Sequence, residues 1–242
     1  MIEVIGLTKK FKEVTAVDNV SFKVDKGEIV GLLGENGAGK TTTLRMISTM
    51  LKPTSGTAKI CGLDLVNEPD KVRKKIGILF GGEVGLYDRL TARENIKYFA
   101  DLSGLSSEEA NKNIEFLAEM LDMKEYIDRR VGKFSRGMKQ KVAIARSIVH
   151  NPDVMLFDEP TIGLDVSSSA IVQDFILDCK KKGRAIIFSS HSMREVERLC
   201  DRVVIIHKGR IVYDGKIEDL RREYNGEDLE KVFLRLVGDK DE

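Results

Sequence analysis

The residues Gly34-Glu35-Asn36-Gly37-Ala38-Gly39-Lys40-Thr41 follow directly on a continuous apolar run, Ile29 to Leu33, and precede a stretch with Leu44, Ile47 and Leu51 at helical spacing. A short, wholly apolar run reads as a strand buried on both faces, the kind found in parallel sheets. The spacing G-x-x-x-x-G-K-T between such a strand and a helix is that of a phosphate-binding loop. Backbone N–H groups reach a triphosphate closely only where no Cβ intervenes, hence Gly34, Gly37 and Gly39. Lys40 brings a point charge to the β- and γ-phosphates, and the Thr41 hydroxyl is a ligand for Mg²⁺. The helix beginning near Lys40 turns its partial positive end toward the anion. The candidate nucleotide contacts run from Gly34, Glu35, Asn36, Gly37, Ala38 and Gly39 through Lys40, Thr41 and Thr42. The motif leaves open which nucleotide is bound and which reaction follows.

The reaction is suggested further along. Val154-Met155-Leu156-Phe157 is a second apolar run, and Asp158-Glu159 closes it. A buried parallel strand delivers both acids at its C-terminal end, where ligands sit in open α/β sheets. Asp158 can hold Mg²⁺, and Glu159 can polarise an attacking water as general base. Two acids also commonly mark a strand end; the phosphate loop turns the reading toward hydrolysis.

Between these motifs the pattern changes. Val20 to Val24 alternates apolar and polar, Asp25 to Glu28 turns the chain, and the first part reads as short strands with tight turns. Lys52-Pro53-Thr54-Ser55-Gly56 ends the first helix, and Thr57 to Ile60 and Ile76 to Phe80 read as further strands. From about Leu90 to His150 the character is helical: Thr91 and Glu94 have capping-box spacing, Ser106 to Glu109 looks like another helix start, and a third helix begins after Ser135. Buried strands return at Val154 to Phe157, Ala185 to Phe188 and Val203 to Ile206. The alternation implies an α/β fold with a parallel sheet covered on both faces and a helical subdomain inserted into it. Lys208-Gly209-Arg210 suits a hairpin turn before Ile211 to Tyr213, and Leu229, Val232, Phe233 and Leu236 give the last stretch an amphipathic face, to be packed on its own domain or on a partner.

Composition narrows the classes. A net charge of +1 over 242 residues gives no overall field for nucleic acid or an anionic membrane. The three cysteines, Cys61, Cys179 and Cys200, are far apart and outside any C-x-x-C pair, which fits a reducing cytosol and small buried hydrophobes rather than disulfides or zinc. Met1-Ile2-Glu3-Val4 has neither the basic nor the apolar region of a signal peptide, so none is expected. The apolar runs fall well short of the roughly 20 residues a spanning helix needs.

Taken together, the motifs resemble those of the nucleotide-binding domain of ABC transporters, from about Ile2 to Gly215 and in the family's order. Phe134-Ser135-Arg136-Gly137-Met138 sits where the signature LSGGQ is expected. Asp158-Glu159-Pro160-Thr161-Ile162-Gly163-Leu164-Asp165 looks like the Walker B end running into the D-loop. His191 follows its strand as the switch histidine does, and Phe11 stands at the position that stacks on adenine, with plain core as its alternative. The resemblance implies a P-loop NTPase core with an N-terminal antiparallel β subdomain and an inserted helical subdomain, in one domain of 242 residues. Core and β subdomain would occupy about 1–83 and 151–215, the helical subdomain about 84–150, and a C-terminal amphipathic extension about 216–242. It implies ATP and Mg²⁺ as ligands, with Thr41 and Asp158 at the metal and Lys40, Glu159 and His191 as catalytic groups. Ser135 and Gly137 are placed to meet the γ-phosphate held by another copy, so a second ABC ATPase subunit is implied, as a homodimer or with a homologue. An integral membrane permease is implied too, with the chain on the cytoplasmic face of the membrane and no nucleic acid. The segment after Gly81 through roughly Asn95 is the expected docking surface.

Two departures stand out. The family's usual Gln is replaced by Gly81, leaving water or Glu83 to take its place at the metal. The first signature Gly is replaced by Arg136, which either adds charge near the interface or is simply solvated. The stretch Gly77 to Asp88, together with Arg136 and Met138, is most similar to the ATPases of two-component sodium-export (Nat-type) transporters. The reading is thus the motor subunit of an exporter; the alternative is a soluble ABC-type ATPase working on ribosomes or DNA.

Overall fold

The computed structural model describes residues 1–80 and 85–238. Ten strands and nine α-helices are built from them: β1 (Ile2–Phe11), β2 (Val14–Val24), β3 (Ile29–Leu33), α1 (Lys40–Ile47), β4 (Ser55–Ile60), β5 (Leu63–Asp64), α2 (Pro69–Arg73), β6 (Ile76–Leu79), α3 (Ala92–Leu102), α4 (Ser107–Met120), α5 (Arg136–Ile148), β7 (Val154–Asp158), α6 (Val166–Lys181), β8 (Ala185–Ser189), α7 (Met193–Leu199), β9 (Arg202–His207), β10 (Arg210–Lys216), α8 (Ile217–Glu223) and α9 (Leu229–Gly238).

A six-stranded sheet in the order β10-β9-β3-β8-β7-β6 is parallel except for β10, which pairs antiparallel with β9. A four-stranded antiparallel sheet, β2-β1-β4-β5, lies against it. The apolar runs are continuous because both faces of the parallel sheet are covered. Successive side chains of a strand point to opposite faces, and the two cores divide accordingly. Val154 and Leu156 of β7, with Val30 and Leu32 of β3, join the antiparallel sheet and α1. Met155 and Phe157, with Ile29 and Leu33, join the helices on the other face.

The middle of the chain, from Ala92 to Ile148, is helical as its caps predict. Thr91 and Ser106 each accept from the backbone N–H of the glutamate three residues on, and Glu94 and Glu109 return the bond to the cap's own N–H. α5 starts on Ser135, whose hydroxyl accepts from Met138 N–H at 3.2 Å. Leu229, Val232 and Phe233 of α9 are buried, and Leu236 packs against the same core, so the amphipathic face is used within the chain.

Two local expectations are corrected. The helix after the phosphate loop does not reach Leu51; it ends at Ile47, Thr49 adopts a left-handed backbone (φ +62°), and Leu51 N–H bonds to Arg45 O. The first strands are not short: β1 and β2 run for ten and eleven residues, with register shifts that bend the pair.

Candidate functional site

The phosphate loop connects the C-terminal end of β3 to α1 at the middle of the parallel sheet. Gly39 is the N-cap of α1 in a left-handed conformation (φ +111°), and a Cβ there would come within 2.7 Å of Ala16 O on β2. Only glycine fits both demands. Lys40 is buried, and its ammonium donates to Gly34 O at 2.6 Å and Glu35 O at 3.0 Å. Burial pushes its pKa below the usual lysine value, against the pull of Glu159, Asp158 and Glu35. Glu35, Asn36 and Gly37 are exposed, Gly34 and Ala38 are buried, and Thr42 is half-buried.

β7 brings its acids to this loop. Thr41 Oγ1 donates to Asp158 Oδ2 at 2.9 Å, across 117 residues of sequence, and Ser189 Oγ at the end of β8 donates to Asp158 Oδ1. Glu159 holds a left-handed backbone (φ +51°), which a non-glycine residue adopts at a cost and which clusters at functional sites. Its N–H is held by Ser189 O at 3.1 Å and by Ser189 Oγ at 3.2 Å. Its carboxylate meets His191 Nε2 at 2.6 Å. A hydroxyl and a carboxylate side by side are hard oxygen donors that suit Mg²⁺, which usually takes one or two carboxylates plus substrate phosphates. Among the described residues no group of three or more His, Cys, Asp or Glu could hold a metal, so a divalent ion here would draw further ligands from phosphate and water.

The phosphate loop, Asp158, Glu159 and His191 therefore gather at the C-terminal ends of the adjacent strands β3, β8 and β7. A model of the ABC transporter family matches residues 17–162. The ABC transporter ATP-binding protein NatA of Bacillus subtilis (strain 168) is 50% identical over 238 residues, spanning 97% of each chain. The chain belongs to the ABC transporter family. Among solved structures, an ATP-binding subunit of an ABC transporter superposes with a TM-score of 0.89 at 32% identity, covering 98% of this chain and 99% of that one. A dimeric ATP-binding cassette in a post-hydrolysis state, bound to ADP and phosphate, superposes with a TM-score of 0.80 at 27% identity, covering 90% and 99%. The fold is that of an ABC ATPase cassette.

The remaining ABC motifs fall in different places. Phe11 is 46% exposed near the turn of the β1–β2 hairpin, with Lys9 Nζ 5.2 Å from its ring centre, so the core alternative is excluded. Ser135 and Gly137 are not brought to the phosphate loop. Neither lines the cleft of about 540 Å³ beside Gly34–Asn36 and His191, nor the smaller one at Glu159 and His191. The segment Ser135 to Gly137 lies against the D-loop and the start of α6 of its own chain: a Cβ on Gly163 would collide with the Arg136 guanidinium, and one on Gly137 would sit 2.8 Å from Ser168 Oγ. Arg136, exposed overall, thus rests its head group on the D-loop glycine. Gly81 and Glu83 lie outside the described residues.

Several residues of the site have no motif to announce them. Ser189 touches both acids; its only signal was its place directly after the apolar run of β8. Gln140, on the signature helix, donates to Pro160 O at 2.7 Å. Gly209, in the β9–β10 turn, donates its N–H to Ala38 O at 2.9 Å and accepts from Asp18 N–H at 2.8 Å, bracing the phosphate loop from behind. Its φ is +79°, and a Cβ would lie 2.9 Å from Ala16 O. Gly209→Ala is expected to lower stability by about 1–3 kcal/mol, measured by urea denaturation.

Proposed function

We propose that the chain is the ATP-hydrolysing subunit of an ABC exporter, working as a pair of copies on a separate membrane permease. The observation that carries the reading is the meeting of Thr41 with Asp158 at 2.9 Å and of Glu159 with His191 at 2.6 Å at the mouth of the phosphate loop. Gly34 to Thr42 cradle the triphosphate, Lys40 neutralises its β- and γ-oxygens, and Phe11 offers its exposed ring to the adenine. Thr41 and Asp158 would hold Mg²⁺, which when bound would supply charge neutralisation on the phosphates. Glu159 takes the proton of the attacking water, and His191 orients toward the γ-phosphate from the same carboxylate. Ser135 and Gly137 of a second copy complete the site, in keeping with their distance from this chain's own cleft and with the dimeric relative.

Among the described residues no helix is long and apolar enough to cross a membrane, and the permease of this reading is another protein. Its docking face fits the exposed side chains of Tyr87, Tyr98 and Leu102 at and before α3, where the two tyrosine rings meet edge-on at 5.4 Å. Docked there, the chain sits on the cytoplasmic face. Sodium ions are the cargo that the resemblance of Gly77 to Asp88, Arg136 and Met138 to Nat-type ATPases favours, and the relative NatA, 50% identical, supports the ABC transporter part of the reading. Vesicles holding this chain and its permease should move sodium on addition of ATP and stop with Glu159→Gln. ATP hydrolysis in such vesicles without any sodium movement would reject the cargo.

A further inference from the structure

We propose that Glu195 is a positioning residue for ATP hydrolysis, joining the D-loop to the switch histidine through one carboxylate. The proposal rests on the reading of the chain as an ATPase.

Glu195 forgoes the task its sequence position sets for it. Ser192-x-x-Glu195 has the spacing of a capping box, like Thr91-x-x-Glu94 and Ser106-x-x-Glu109. In those two, the glutamate returns to the cap's N–H, at 2.8 Å and 3.0 Å. At α7 only half of the box forms: Ser192 Oγ accepts from Glu195 N–H, while Ser192 N–H goes to Ser190 Oγ at 3.0 Å. The carboxylate turns inward instead. Its Oε2 accepts from Thr161 Oγ1 at 2.9 Å and from Ser190 Oγ at 2.6 Å. Its Oε1 accepts from Gln173 Nε2 at 3.0 Å and Ser169 Oγ at 3.4 Å, both on α6. An ionised carboxylate has acceptor sites for all four.

The partners on Oε2 carry the consequence. Thr161 is buried and stands two residues after Glu159; Ser190 directly precedes His191. Because His191 and Glu159 are themselves paired, the contacts close a ring: Glu159, His191, Ser190, Glu195, Thr161 and back through Pro160. Pro160 is in turn held by Gln140 of the signature helix. Next to Thr161 the D-loop exposes Ile162, and Val166 follows it at the start of α6, exposed as well; these are apolar side chains a second copy would cover. A shift of the D-loop under that partner cannot leave Ser190 unmoved without breaking a hydrogen bond to a charged, half-buried oxygen. The general base and the histidine are thereby set by the state of the D-loop.

Thr161→Val removes the hydroxyl at constant shape and tests the link without disturbing packing; Thr161→Ser restores it. Steady-state hydrolysis, equilibrium ATP binding and thermal melting are measured on the whole chain. Thr161→Val should lower kcat about ten- to hundredfold through misplacement of the reacting groups, with KM and ATP affinity held. Thr161→Ser should recover most of the loss. Glu195→Ala should show a similar loss, and the double variant should be no worse than Glu195→Ala, because both act through one link. Normal turnover in Thr161→Val would overturn the proposal, as would losses that multiply in the double variant or that follow the folded fraction alone. A wild-type chain that binds ATP without turning it over would overturn the ATPase reading itself.

Discussion

Glu159→Gln is expected to leave ATP bound and to slow its hydrolysis by about 10²–10⁴, the usual contribution of a general base. The substitution is close to isosteric. The amide oxygen of Gln can still accept from His191 Nε2, so the 2.6 Å contact and the ring through Ser190 and Glu195 should persist. The left-handed backbone at position 159 is held by Ser189 through the N–H, which the variant keeps. Only the basicity goes. Binding should be unchanged, because Lys40, Thr41 and Asp158 are untouched. With hydrolysis blocked, ATP should accumulate the two-copy form, visible as a shift in size on a column. Near-normal turnover in this variant would remove Glu159 from the role and leave the reaction without a base.

Lys40→Met is expected to act first on binding, where Glu159→Gln acts on chemistry alone. Hydrogen bonds to charged groups contribute about 1.5–3 kcal/mol, so ATP affinity should fall roughly ten- to hundredfold in an equilibrium titration. The fold should not suffer in proportion. Burial already works against the Lys40 charge and holds its pKa down, so replacing the ammonium by an apolar group of similar length relieves a desolvation cost. Against this stands the loss of a donor for Gly34 O and Glu35 O. The melting temperature should therefore be held or raised while affinity drops. A large fall in melting temperature would mean that the lysine serves the loop more than the phosphates. Lys40→Arg should not rescue binding, because a planar guanidinium does not fit the space of a buried point charge.

The chain's own pattern predicted much of the scaffold, and the reason is distance along the sequence. Capping boxes such as Thr91–Glu94 close over three residues, so they can be read from spacing. The buried strands announce themselves because both faces of β7 and β3 are covered, which forces an unbroken apolar run. The phosphate loop is local for the same reason: its glycines answer to a tight turn directly after β3. Even so, α1 stops at Ile47, short of Leu51, and nothing in Leu51 shows that Thr49 turns left-handed before it.

What lay beyond the sequence has one physical character. Glu195 reads locally as the fourth residue of a capping box, and only the fold brings Thr161, 34 residues away, to its carboxylate. Gly209 reads as a plain hairpin glycine, yet it braces Ala38 from the turn after β9, the strand beside β3. Arg136 reads as a departure from a signature, and its place over Gly163 depends on how α5 packs beside the D-loop. The phosphate loop, the paired acids after β7 and the alternating α/β order are legible in the chain, because neighbouring residues hold them. The tertiary structure alone decided which side chains close the ring around Glu159 and His191, because hydrogen bonds between remote segments form only once the sheet has set their strand ends side by side.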